Sequence, residues 1–249
     1  MLTIIKLIFI NIPIIIWLFV NLRILRKSRR DIRKYAAAGN DEMERLAILE
    51  STSLWGGSIC NKLSVNLVVE GEKTLPAGPV VFVSNHESYM DIPVFCAVVT
   101  DKQFGFIAKY SLSKLPVFGK WIADIRSVFI ERDDARASLR AIDAGIKLLE
   151  RGYSLVIFPE GTRNKGKGMA EFKKGSLRLA TKPGLPIIPV SMAGGWHIVE
   201  EHGRIQKNQL VRVFIHPPIE TSHMTKPELN ELNEKVENII RDKLNEWNN

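Results

Sequence analysis

The chain has 249 residues, of which 45% are hydrophobic, enough for one sizeable core and ordinary for a single α/β domain. Two cysteines in apolar stretches do not suggest a disulfide scaffold and fit a reducing compartment. The formal net charge is +8, and +6 of it comes from residues 23–34, which hold seven cations and one anion. This local cationic band favours an anionic membrane surface as a partner, and nucleic acid is not expected.

The first 22 residues are apolar, with Lys6 as their only charge. As a helix rising about 1.5 Å per residue, the uncharged stretch 7–22 covers roughly 24 Å, short of the ~30 Å hydrocarbon core. No small-residue cleavage site follows it, and the cationic band places the rest of the chain on the cytoplasmic side. We expect an anchor at the cytoplasmic face of the cell membrane, embedded in one leaflet rather than spanning once.

A second apolar-patterned segment covers residues 41–60, and the stretch 36–40 can turn the chain between two helices. The pattern favours a membrane-associated helical hairpin, with residues 1–60 as anchoring helices and 61–249 as a separate α/β domain. The alternative is a core helix preceded by a buried N-terminal strand.

From Leu63 onward, short β-rich runs alternate with helical patterns. Several runs are continuous in Val, Ile and Phe, which is typical of strands covered on both faces. The alternation predicts an α/β fold, a largely parallel sheet flanked by helices, whose ligands bind beyond the carboxyl ends of the strands. The predicted strands are Ser64–Glu70, Val80–Ser84, Phe104–Ala108, Ser127–Glu131, Ser154–Phe158, Ile187–Met192 and Val211–His216.

Two helices have clear boundaries in the sequence. Asp133 or Asp134 can cap a helix over residues 134–151, and Gly152 lies just past its end. The pattern from Thr225 to Glu228 is a capping box that begins the last helix. The predicted buried stripes are Leu139, Ile142, Ile146 and Leu149 in the first helix, and Leu229, Leu232, Val236, Ile239, Ile240 and Leu244 in the last.

The first chemically informative group follows the strand Val80–Ser84 and reads Asn-His-Glu-Ser-Tyr-Met-Asp from Asn85 to Asp91. His86 suits the role of a general base toward a hydroxyl, because its pKa lies near the working pH. A carboxylate five residues later, Asp91, can reach back to the imidazole and fix its tautomer. The alternative is that both side chains simply order a turn.

The second group follows the strand Ser154–Phe158 and reads Phe-Pro-Glu-Gly-Thr-Arg up to Arg163. Pro159 ends the strand, Gly161 permits a tight turn, and the guanidinium of Arg163 offers a planar fork for a phosphate. The alternative is a solvated basic loop.

The same loop nearly matches a phosphate-binding P-loop. Residues 161–167 fit the pattern G-x-x-x-x-G-K, but Gly168 stands where Ser or Thr would bind magnesium. A membrane-associated nucleotide hydrolase is therefore kept as an alternative.

Together the two groups resemble the glycerolipid acyltransferase family, specifically the 1-acylglycerol-3-phosphate acyltransferases. The resemblance covers about residues 62–217, and four ordered blocks are more specific than any one of them. Arg126 stands where the second block usually opens with Gly. The matching segments are Asn85–Asp91, Val128–Arg132, Phe158–Arg163 and Leu185–Val190, with Phe172–Gly175 after the third block.

The resemblance implies that an acyl group passes from acyl-ACP or acyl-CoA directly to the sn-2 hydroxyl of lysophosphatidic acid, without cofactor or metal. His86 is the implied general base and Asp91 orients it, while backbone N–H groups near the first block are candidates for the oxyanion hole. The implied substrate-binding residues are Lys109, Arg132, Glu160, Gly161, Thr162 and Arg163.

Two other functions stay open on the sequence. The acceptor could be glycerol 3-phosphate or another lysophospholipid, since these share the phosphate and the hydroxyl. The other open function is that of a non-catalytic lipid-binding membrane protein that kept the fold.

Overall fold

The computed structural model describes residues 21, 23–131, 134–173 and 175–248. All seven predicted strands are present, with ends that shift by a residue or two. The strands are β1 (Asn66–Gly71), β2 (Val81–Ser84), β3 (Phe104–Lys109), β4 (Val128–Ile130), β5 (Ser154–Ile157), β6 (Ile187–Ala193) and β7 (Leu210–Ile215).

These strands form one sheet in the order β1-β7-β6-β2-β5-β3-β4. Strands β6 and β7 are antiparallel, and the other five neighbouring pairs are parallel. The predicted fold class, a largely parallel sheet with flanking helices, is confirmed. The central strands β2 and β5 are buried along their whole length, which explains their continuous apolar sequences.

The helices lie between and beside these strands, and residues 23–37 form the first, α1. In the part of the chain that the structure describes, no helix is both long and apolar enough to cross a membrane. The membrane anchor predicted for the N-terminal segment falls on residues 1–20 and 22, which lie outside the described residues. The other helices are α2 (Asp41–Leu63), α3 (Asp91–Val98), a 3-10 turn (Tyr110–Lys114), α4 (Phe118–Asp124), α5 (Ala135–Glu150), α6 (Arg178–Thr181), α7 (Trp196–Val199) and α8 (Lys226–Asn248).

Helix α5 confirms its predicted cap but not its whole predicted stripe. The Asp134 carboxylate accepts hydrogen bonds from the first-turn N–H groups, whereas Leu139 is 52% exposed. Ile146 and Leu149 are buried and Ile142 packs partly buried against the same cluster, so Leu139 is the one residue of the predicted stripe that is wrong. A Cβ on Gly145 would lie 2.6 Å from Cδ1 of Leu179, so α5 lies close to α6 at this glycine.

Helix α8 begins as predicted, with the N–H of Thr225 donating to the carboxylate of Glu228. Leu232, Val236 and Ile240 form its buried face. Leu229 is 38% exposed, so the first residue of the predicted stripe is wrong.

Helix α2 packs against α3 in the α/β core. A Cβ on Gly56 would lie 2.4 Å from the carbonyl oxygen of Pro93, so the two helices touch backbone to backbone. Trp55 and Ile59 of α2 belong to the same buried cluster as residues of the sheet. A membrane-associated hairpin and a domain division after residue 60 stay predictions.

The turn at Arg126 holds an arginine in a backbone conformation that favours glycine. Its φ is +61°, a left-handed conformation that costs a non-glycine residue about 1–2 kcal/mol. The guanidinium makes a bidentate pair with the Glu44 carboxylate, at 2.5 and 2.9 Å, and Glu44 also accepts from the Tyr153 hydroxyl at 2.9 Å. The pair offsets the strain and fixes α2 to the sheet.

Candidate active site

The predicted base and its carboxylate meet in the turn between β2 and α3. The Nδ1 atom of His86 lies 2.6 Å from Oδ2 of Asp91, and the same oxygen accepts from the N–H groups of Glu87 at 2.8 Å and Ser88 at 2.9 Å. Asp91 is 1% exposed. Because an ionised carboxylate only accepts hydrogen bonds, the imidazole proton sits on Nδ1 and leaves Nε2 with the free lone pair.

The second group reaches the same place because β5 is the parallel neighbour of β2. The ring of Phe158 stacks on the His86 imidazole, with centroids 4.3 Å apart and planes 24° apart. The N–H of Asn164 donates to the carbonyl of His86 at 2.9 Å. The structure therefore joins the first and third blocks into one double loop at the carboxyl ends of two central strands.

Glu160 holds this double loop from within. It is 4% exposed, and its carboxylate accepts from the backbone N–H groups of His86 at 2.5 Å and Ala170 at 2.9 Å. Burial raises the pKa of this carboxyl, and the hydrogen bonds to it act in the opposite direction. Glu160 faces the protein rather than the pocket, so its role in this structure is to position the loops.

The P-loop alternative is contradicted by the course of this loop. A P-loop leads directly into the N-terminus of a helix, but here the next helix, α6, begins only at Arg178. The N–H of Lys165 is also engaged, because it donates to the carbonyl of Glu87 at 3.1 Å. The nucleotide-hydrolase alternative is therefore wrong.

A pocket of about 640 Å³ opens beside His86. Four predicted site residues line it: His86, Lys109, Thr162 and Arg163. Glu160 and Gly161 lie outside its lining, and Arg132 lies outside the described residues. The rest of the wall is mostly apolar and comes largely from α2, β3, the 3-10 turn and α4, including Trp55, Ile59, Phe106, Leu112, Trp121 and Ile122.

Arg163 enters the pocket wall between an aromatic ring and a carboxylate. Its guanidinium carbon lies 3.3 Å from the ring centroid of Tyr89, and Nη1 donates to Oε1 of Glu200 at 2.7 Å. Sequence reasoning missed Glu200, which lies 37 residues away along the chain. Only the tertiary fold brings the end of α7 next to the first block.

Two neighbours in the first block fix the turn to the end of β6. The Asn85 amide donates to the carbonyl of Met192 at 2.8 Å and accepts from its N–H at 2.9 Å. The Glu87 carboxyl accepts from the N–H of Trp196 at 3.3 Å. Burial raises the pKa of Glu87 to about 8, and the charge of Asp91 adds to that rise. Hydrogen bonds from the backbone N–H groups of residues 194–196 act in the opposite direction.

The expected oxyanion hole near the first block stays a prediction, and the N–H groups of the block itself are engaged. Every backbone N–H group from His86 to Asp91 already donates to another group of the protein, so none of these six is available to an oxyanion without breaking a bond. Their acceptors are carboxylate oxygens of Glu160, Asp91 and Glu200, and the hydroxyl and carbonyl oxygens of Ser88.

A family described as Acyltransferase matches residues 66–193, just over half of the chain. The chain belongs to the acyltransferase family. The matched range includes the His86–Asp91 pair and the Phe158–Arg163 loop, so the resemblance stated from the four blocks is confirmed.

Several members of this acyltransferase family are similar to the chain. A chloroplastic 1-acyl-sn-glycerol-3-phosphate acyltransferase of Arabidopsis thaliana is 34% identical over 157 residues, which cover 62% of this chain and 44% of that protein. The chain thus spans less than half the length of this plant relative. A 1-acyl-sn-glycerol-3-phosphate acyltransferase of Borreliella burgdorferi is 29% identical over 191 residues, 74% of each protein.

The fold agrees with a solved structure over nearly its full length. The crystal structure of PlsC from Thermotoga maritima, a 1-acyl-sn-glycerophosphate acyltransferase, superposes with a TM-score of 0.79 at 27% identity. The match covers 98% of this chain and 97% of that one.

Proposed function

We propose that this acyltransferase moves a fatty acyl group from an acyl thioester to the sn-2 hydroxyl of lysophosphatidic acid, giving phosphatidic acid. The observation that carries the proposal is the His86–Asp91 pair, which opens onto an apolar pocket beside Arg163. This reaction needs a general base, an apolar pocket and a ligand for the phosphate. The relatives that share the fold carry names for the same reaction.

The reaction is direct transfer in a single displacement. Nε2 of His86 takes the proton of the acceptor hydroxyl as that oxygen attacks the thioester carbonyl. The new C–O bond forms, the C–S bond breaks, and the proton passes from His86 to the departing thiolate. Asp91 stabilises the imidazolium that exists between these steps. The reaction therefore requires no covalent acyl-enzyme intermediate and no cofactor.

The apolar pocket is the proposed site for an acyl chain. Burying hydrocarbon contributes about 0.8 kcal/mol per methylene, so the aromatic wall of Trp55 and Trp121 is a strong local attraction for a lipid tail. His86 at its rim then places the reacting carbonyl or hydroxyl next to Nε2.

Arg163 and Lys109 are the proposed ligands of the acceptor phosphate. Both line the pocket together with His86, Arg163 from the loop after β5 and Lys109 from the end of β3. Arg132 stays a proposed third ligand, and Thr162 a proposed polar contact. Glycerol 3-phosphate and other lysophospholipids carry the same two functional groups, so they are the alternative acceptors.

The protein is proposed to act at the cytoplasmic face of the cell membrane, with residues 1–60 as the anchoring part and 61–249 as the catalytic domain. Helix α1 supports this, since most of its cations are exposed and each attracts an anionic headgroup by roughly 1 kcal/mol. Leu46 and Leu54 of α2 are each 52% exposed. The acceptor could then enter from the bilayer while the donor remains soluble.

Acyl transfer in detergent micelles tests the proposal. Labelled acyl-ACP and acyl-CoA would each be incubated with lysophosphatidic acid or glycerol 3-phosphate. We expect label in phosphatidic acid with at least one donor. Absence of label from every donor–acceptor pair, with a folded protein, would favour the lipid-binding alternative.

A further inference from the structure

A short segment beside the pocket exposes apolar side chains. Tyr110 in the 3-10 turn is 46% exposed, and Leu115, which follows that turn, is 44% exposed. Their neighbours Ser111 and Leu112 line the pocket, whereas Tyr110 and Leu115 do not. The exposed apolar residues therefore lie at the edge of the pocket, outside its lining.

This exposure belongs to a well-packed segment. A Cβ on Gly119 would lie 2.5 Å from the carbonyl oxygens of Leu112 and Ser113, so α4 begins directly on the backbone of the 3-10 turn. The chain enters α4 through Val117, whose φ of +63° is rare for a β-branched residue. The fold thus holds Leu115 at the surface through a strained backbone, a feature that tends to mark functional segments.

The same segment is cationic. Residues 102–123 hold four lysines and no acidic residue. Lys114 and Lys120 are exposed, and Nζ of Lys114 lies 5.7 Å from the ring centroid of Tyr110. An exposed surface of leucine, tyrosine and lysine fits a bilayer with anionic lipids, because the apolar groups enter the headgroup region while the ammonium groups stay with the phosphates.

Two ion pairs join this segment to the cationic helix α1. The Asp124 carboxylate, at the end of α4, lies 2.6 Å from Nε of Arg29 and 3.0 Å from Nε of Arg33. Lys120 lies four residues before Asp124 and therefore on the same side of α4. Its charge continues the surface of α1, whose exposed cations are Arg23, Arg26, Lys27, Arg30, Arg33 and Lys34.

We propose that Tyr110, Lys114, Leu115 and Lys120 form a second membrane-docking face, which seats this edge of the pocket on a bilayer with anionic lipids. The inference rests on the proposed function, in which the pocket takes a lipid acceptor. It adds a contact from the catalytic domain to the anchor proposed for residues 1–60. The hydrocarbon of the acceptor then passes between bilayer and pocket with little exposure to water.

An environment-sensitive nitrobenzoxadiazole label on the full chain tests the docking face. Leu115→Cys carries the label on the proposed face, and Leu139→Cys carries it at the matched control position, which is 52% exposed. The native Cys60 and Cys96 are buried, so the label reports the introduced thiol.

The control position lies on the other side of the sheet. Helix α5, which holds Leu139, packs through Ile146 in the same cluster as Val81 of β2. Helix α4 packs through Trp121 in the cluster that contains Phe82, the next residue of β2. Successive strand residues point to opposite faces, so a bilayer that touches α4 does not reach α5.

Fluorescence is measured on vesicles of equal parts phosphatidylcholine and phosphatidylglycerol, with and without nitroxide-labelled lipid. Emission from position 115 should shift to the blue and be quenched by the nitroxide, whereas emission from position 139 should do neither. In the Leu115→Cys protein, Lys114→Gln combined with Lys120→Gln should weaken docking of this face about 25-fold, a factor of about five per charge, and so reduce the quenching.

Three results would overturn the inference: no quenching at position 115, equal quenching at both positions, or unchanged quenching in the lysine variant. Without quenching, the exposed lysines would instead suit an acidic protein partner, which buries no residue in hydrocarbon. Acyl transfer in detergent micelles is measured in parallel, and both labelled proteins should match the wild type there. Failure of the wild type to transfer acyl groups would contradict the proposed function itself, and it is read independently of the quenching.

Discussion

Asp91→Asn is the substitution that separates geometry from charge in the catalytic pair. The amide has the volume of the carboxylate. With its carbonyl oxygen in the place of Oδ2, it can still accept from Nδ1 of His86 and from the N–H groups of Glu87 and Ser88. The geometry of the turn and the imidazole tautomer are then kept, and the negative charge that stabilises the imidazolium is lost.

The expected loss in kcat is about 10²-fold, equivalent to roughly 2.7 kcal/mol in activation free energy, the order of a hydrogen bond to a charged group. Acyl transfer from a labelled thioester to lysophosphatidic acid measures it, and Asp143→Asn is the matched control because Asp143 pairs with Lys182 on the surface. Thermal unfolding should change by only a few degrees. An Asp91→Asn enzyme within about threefold of the wild type would refute the role of the Asp91 charge.

Three further predictions concern stability. Glu160→Ala leaves two backbone N–H groups without their acceptor, so urea unfolding should show a loss of about 2–4 kcal/mol; a loss below about 1 kcal/mol would contradict its positioning role. Burial lowers the pKa of His216 from 6.5 to about 4, and the charge of Lys243 adds to this. As the pH falls, the unfolded chain therefore binds the proton before the folded protein does. The free energy of unfolding should decrease by about 3 kcal/mol between pH 6.5 and 4, and His216→Gln should remove this decrease. An unchanged decrease in His216→Gln would assign it to other titrating groups. Arg126→Gly relieves the strain of the positive φ but leaves the buried Glu44 carboxylate without its partner. We therefore expect a net loss of about 2–3 kcal/mol in the free energy of unfolding, which Glu44→Gln should partly restore. A stabilised Arg126→Gly protein would mean that backbone strain outweighs the ion pair.

The sheet and the core of the site follow from local sequence. Buried strands such as β2 and β5 have continuous apolar runs, and the residues just after them meet because parallel neighbours end at the same edge. That placement rule alone brings His86 and Arg163 to one pocket. The spacing from His86 to Asp91 is likewise a local property of a turn that leads into a helix.

The parts that sequence did not reveal depend on contacts between distant segments. Glu200 reaches Arg163 only because α7 follows β6, the other parallel neighbour of β2. Glu160 points inward because its carboxylate accepts from backbone N–H groups of other loops, and only the folded chain brings those groups next to it. Leu139 belongs to the apolar stripe of α5 and is nevertheless exposed, since the stripe alone does not say how far neighbouring elements cover the helix.

The central claim is that His86 is the general base of acyl transfer, and a comparison of histidine variants tests it most directly. His86→Ala and the exposed control His223→Ala would be assayed side by side for transfer of a labelled acyl group to lysophosphatidic acid, with thermal unfolding of each. The structure predicts wild-type activity for His223→Ala and at least a 10²-fold loss, on the order of a missing general base, for a folded His86→Ala. Near-normal transfer by His86→Ala would contradict the claim.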